Sequence, residues 1–128
     1  MVKLACLNAS HEDIKKLKQI LKEEKEALSS YNKENYWLAN EKFHFTLMKS
    51  AQNTYIERYC RHIFRRSSIY IFFFDSFYSQ NKKETPPNQL SPIQHATILK
   101  AIENKDVKSA ENIMKEHIQL SYQVLLGL

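Results

Sequence analysis

Four residues of this chain carry ligand chemistry at spacings that let them act together: Asn40, His44, His95 and His117. Asn40 and His44 sit one helical turn apart in the stretch Asn40-Glu41-Lys42-Phe43-His44. Side chains at i and i+4 of a helix lie one above the other and can grip one small object together. Both interrupt an apolar stripe that runs through Trp37, Leu47, Met48 and Ala51, at the spacing that keeps one face inward. His95 lies on a stripe with Ile98, Leu99 and Ile102, and His117 on one with Ala110, Ile113, Met114, Ser121, Val124 and Leu125. A lone histidine on such a face is most simply a satisfied core residue. Several of them need partners, and one another is the simplest choice. Neutral imidazoles suit a divalent transition metal, zinc first and Ni, Mn or Fe as alternatives, with the Asn40 amide oxygen a weaker, uncharged ligand. An ion held without a carboxylate keeps its full charge, which favours an acidic small molecule as a further ligand.

The elements that must position these residues read as helices throughout. One Gly and three Pro in 128 residues leave little room for turns or left-handed backbone,. Leu4 to Leu7 read as the last turn of a helix. Ser10, with Asp13 three residues on, opens the next as a capping box, and its apolar stripe takes Ile14, Leu17, Ile20 or Leu21, Ala27 and Leu28,. The Asn40/His44 helix spans about Asn32 to Ala51. Thr54 and Glu57 are set as a second box before a helix from Tyr55 to about Tyr78, whose run Ile69 to Phe74 is continuously apolar,. Residues 80–89, with Pro86 and Pro87, form the long loop. Ser91-Pro92 reads as a cap followed by proline at the first helical position,. Asn104-Lys105-Asp106 is a tight turn into a final helix that ends near Leu126. The fold class is all-α, an antiparallel bundle of about six helices, in one domain over residues 1–128.

The hairpin at Asn104 brings two of the histidines together. His95 lies about nine residues before the turn and His117 about thirteen after it, so at ~1.5 Å per residue their heights differ by about one turn,. His11, beside a helix cap, and His62, one step off an apolar stripe, read as surface residues. The formal net charge of +5 invites a nucleic-acid reading. However, Lys15, Lys16, Lys18, Lys22 and Lys25 alternate with Glu12, Asp13, Glu23, Glu24 and Glu26, the pattern of a solvated helix face,. No helix-turn-helix, zinc-finger or RNA-binding signature is present,. The longest apolar run is too short for a membrane helix, which needs ~18 residues,. Cys6 and Cys60 have no metal-type spacing and read as reduced thiols of a cytoplasmic protein,.

These pieces, in this order, resemble the FCD domain, the C-terminal effector-binding domain of GntR-family bacterial transcription regulators of the FadR type. The resemblance rests on Asn40 to His44, where the family pattern is Asp-x-x-Phe-His, and on the small-residue break Ser50-Ala51-Gln52-Asn53. It continues through His95-Ala96-Thr97-Ile98-Leu99-Lys100-Ala101-Ile102, the acidic turn at Asp106, and Ala110 through Met114 to His117. It implies a metal held by Asn40, His44, His95 and His117, with Asn40 departing from the commoner Asp. It further implies a small carboxylate metabolite beside the metal, paired with an arginine for which Arg61, Arg65 and Arg66 are the candidates,. Finally, it implies a homodimer that reaches DNA only through an N-terminal winged-helix domain, which this chain is expected to lack. Two other readings stand beside the sensor: a metal-free helical dimerisation module, and a helical metalloenzyme. For the enzyme, Glu41-x-x-His44 supplies half of a di-iron motif, and neither His95 nor His117 repeats it,.

Overall fold

In the computed structural model of the chain, residues 1–78 and 90–126 are described, apart from the side chains of 71–78, 122 and 124–126. These residues form six helices: α1 (Val2–Asn8), α2 (His11–Ser29), α3 (Lys33–Ser50), α4 (Thr54–Tyr78), α5 (Leu90–Glu103) and α6 (Val107–Leu126). The expected all-α bundle is therefore observed. Short turns make α2/α3 and α5/α6 antiparallel hairpins, and α2 also packs against α5. Helix α1 rests on α3, α5 and α6, while α4 covers α3 and α6. The core where they meet contains Cys6, Leu17, Ile20, Phe43, Leu47, Ile98, Ile102, Ala110 and Met114. Among the described residues, no helix is long and apolar enough to cross a membrane.

Local sequence explains most helix ends. Ser10 and Asp13 form the reciprocal capping box, with hydrogen bonds of 2.9 and 3.1 Å,. Asn32 caps α3 by accepting from the Asn35 amide,. Asp106 caps α6 through both the amide and the hydroxyl of Ser109, which holds its carboxyl below the usual range. Two caps differ from expectation. The cap of α4 is Asn53, whose Oδ1 accepts from the Ile56 amide, rather than Thr54. Ser91 lies inside α5 and is buried there rather than capping it. The loop expected at 80–89 and the aromatic side chains of Phe72 to Phe74 lie outside the described residues.

Tyr31, Gln52 and Lys105 all take left-handed backbone, with φ of 55°, 54° and 53°. Each follows a helix end. After α2 and α5, paired bonds such as Asn32 N–H to Ala27 C=O and Asp106 N–H to Ala101 C=O close Schellman turns,. A chain with one glycine thus makes its tight turns with side chains that crowd this conformation,. Lys105 is exposed, so Lys105→Gly should stabilise the fold by about 1 kcal/mol. Urea denaturation checks this, and an unchanged or lowered midpoint contradicts it.

Candidate metal centre

The inward face of α3 is set by Tyr36, Ala39, Phe43, Leu47 and Ser50, with His44 and Met48 on its flank. This face is rotated by about one residue from the stripe read in the sequence, because α1 and α2 pack along it and Phe43 is drawn into the core against His95 of α5. His44 remains buried on the side that α4 covers, and Phe64 of α4 lies against it with ring centroids 4.8 Å apart. Asn40, one turn earlier, is only half-buried at the edge of the face. His95 and His117 project from the facing surfaces of the α5/α6 hairpin, and both are buried. Phe43 stacks on His95 with centroids 4.3 Å apart, closing the site from the core side.

The three imidazoles converge through the same atom. Nε2 of His117 is 3.2 Å from Nε2 of His95 and 3.3 Å from Nε2 of His44. Their other ring nitrogens explain why this is unusual. His95 Nδ1 lies 3.0 and 2.9 Å from the two carboxylate oxygens of Glu24. A carboxylate only accepts, so Nδ1 carries the proton and donates. His117 Nδ1 likewise donates to the Gln94 side-chain oxygen at 2.9 Å. A neutral imidazole has one N–H, so both Nε2 atoms present bare lone pairs to each other. Lone pairs at such range repel unless a cation, a proton or a metal ion, lies between them. Two imidazole nitrogens at Zn–N of about 2.0–2.1 Å and a tetrahedral angle stand roughly 3.3 Å apart. The spacing, the donor type and the outward-bonded Nδ1 atoms all fit a metal ion.

Burial favours the neutral, coordinating form of His44 and His117. Burial, reinforced by the neighbouring His95 and His117, holds His44 well below the usual histidine range. Burial, with His95 beside it, lowers His117 to about 4. Burial also pushes the Tyr36 phenol up to about 12, with the Ser91 hydrogen bond opposing and the nearby Glu24 charge adding.

Glu24 is the residue the sequence reading misplaced. Counted there among the charges of a solvated face, it is 0% exposed and sits directly behind His95. The rest of that pattern holds. Lys18 pairs with Glu103 and Lys42 with Glu23 across helix boundaries, at the surface. His11 and His62 are exposed as expected.

The three candidate arginines differ in setting. Arg61 is half-buried, bonded to Glu57 at 3.0 Å, and lies 4.5 Å from the centre of the Phe45 ring. Its Nε is buried and without a hydrogen-bond partner among the described residues. Arg65 stands 5.1 Å from the same ring but is exposed, as is Arg66.

The FCD domain family matches residues 1–120, which takes in all six helices up to the last turns of α6. The chain belongs to the FCD family. This is the domain type expected from the motif order, an FCD domain of a GntR-type regulator. The chain is also 29% identical, over 123 residues, to the Uxu operon regulator of Haemophilus influenzae. That match covers 93% of this chain and 43% of the relative, so the chain spans less than half of that protein's length. No solved structure gives a significant match to the chain.

The lowered histidines tie stability to pH. Their unfolded-state value is near 6.5, so between that pH and their folded values the unfolded chain binds more protons than the folded one,. The stability they contribute is complete above pH 6.5 and is lost as pH falls toward 4. For His117 alone the loss between pH 7 and 5 is on the order of 2 kcal/mol. Denaturant titration of metal-free protein at the two pH values measures it, and equal stabilities contradict the assignment.

Proposed function

We propose that this FCD domain is the sensing part of a cytoplasmic transcription regulator. In this reading it binds a small organic acid beside a divalent metal held by His44, His95 and His117, and it performs no turnover. The observation that carries the reading is the convergence of three Nε2 atoms whose partner nitrogens, on His95 and His117, are committed elsewhere. A divalent ion there supplies a positive centre for a carboxylate. Zinc suits three imidazoles best, with Ni, Mn or Fe as alternatives.

The chain's own residues do the rest. Asn40, at the edge of the buried face one turn from His44, is a weak fourth ligand or a partner for a bound water. Phe43 and Phe64 wall the imidazoles from water, which strengthens every charge interaction inside. Arg61 is the first arginine to assign to the acid, because its buried Nε has no acceptor among the described residues and a guanidinium grips a carboxylate through two donors,. Arg65 and Arg66, both exposed, are weaker choices.

The relative's name, an operon regulator, supports the regulatory role. Contact with DNA would belong to a separate domain, acting in a homodimer. Helix α1, packed on α3, α5 and α6, is placed to carry a change in their spacing toward the N-terminal end.

Zinc or nickel titration of metal-free protein, followed by thermal melting, tests the reading. The expected result is about one ion per chain, with a rise on the order of 10 °C at a hundredfold excess over Kd. His44→Ala and His117→Ala should lose both effects. Small carboxylic acids should bind only the loaded form, and Arg61→Ala should weaken the acid while leaving the metal in place. Unchanged metal binding in both histidine variants contradicts the site.

A further inference from the structure

Glu24 is a carboxylate with no exposure, on a helix otherwise dressed with solvated lysines and glutamates. A buried carboxylate is tolerated only where its charge is matched and its oxygens are bonded. Among the described residues its ionic partner is His95, met by both oxygens at Nδ1. The match therefore lies through the imidazole ring, at Nε2, where the ring faces His117 at 3.2 Å. The other side chains bonded around that point bring no negative charge: His44 and His117 are imidazoles, and Gln94 is an amide.

We infer that Glu24 is a positioning residue of the metal centre. It fixes His95 with Nδ1 protonated and Nε2 bare, and it supplies from behind the ring the negative charge that the ligands themselves lack. A carboxylate hydrogen-bonded to the far nitrogen of a ligating imidazole orients the ring and raises its basicity, and losing such a partner typically weakens metal binding ten- to a hundredfold. Position 24 thereby does what a carboxylate at position 40 would do directly. The two positions are alternative places for one charge.

This rests on the metal-sensor reading, and the test separates the two. Zinc affinity is measured by competition with a chromogenic chelator for wild type, Glu24→Gln, Asn40→Asp and the double variant. The imidazole tautomers of metal-free wild type are read in parallel by nitrogen-15 NMR at pH 8. Glu24→Gln should bind zinc ten- to a hundredfold more weakly. Adding Asn40→Asp should restore much of that loss, a rescue that a merely structural role for Glu24 would not produce. His95 should carry its proton on Nδ1, a result that does not depend on any variant folding. Zinc binding by wild type that Glu24→Gln leaves unchanged overturns this inference alone. So does a loss that Asn40→Asp does not reduce, or a bare Nδ1 on His95. Failure of wild type to bind zinc overturns the sensor reading itself.

Discussion

Three imidazoles and a carboxylate meet between the helices of this bundle, shut away from the water that would otherwise satisfy them. Everything else near the site follows from that constraint. Glu24 and Gln94 each take an N–H from the outer nitrogen of a histidine, so the inner nitrogens of His95 and His117 are left as lone pairs aimed at one point. Such a cluster is costly in an empty apolar core and well matched to a cation. The fold tolerates it because the residues come from four helices, α2, α3, α5 and α6, whose packing elsewhere is ordinary aliphatic core.

On the proposed reading, the same arrangement ties binding to shape. A ligand at the shared point touches side chains from separate helices and so has different affinities for different helix spacings. That differential is the requirement for any binding event to move a conformational equilibrium. The aromatic rings of Phe43 and Phe64 stack on His95 and lie against His44, packing the contact on two sides. Helix α1 rests on three of the elements concerned, so a change in their spacing has a packed route to the N-terminal end of the domain.

Much of this was legible in the sequence because polar residues in apolar stripes are conspicuous. His44, His95 and His117 each break a helical pattern, and the short Asn104 turn pairs two of them. Glu24 was not read because its immediate neighbours are charged and mask its register. Leu17, Ile20 and Ala27 leave a gap on one face that position 24 fills, and that gap was the available signal. Asn40 was read one step too deep, since the buried face of α3 turns toward α1, α2 and α5. The caps at Thr54 and Ser91 were misplaced, since Asn53 takes the α4 cap and Ser91 lies buried inside α5,. Which of Arg61, Arg65 and Arg66 points inward depends on how α4 is rotated about its axis. Periodicity does not determine that rotation in a helix with apolar side chains on several faces.

The central claim is that one ion sits where the three Nε2 atoms converge, and X-ray absorption at the metal edge of the zinc-loaded domain tests it most directly. The account predicts a first shell of nitrogen and oxygen at about 2.0–2.1 Å, with outer-shell scattering that requires three imidazoles and no sulfur. A sulfur shell, or scattering from one imidazole or none, would place the ion elsewhere and contradict the account.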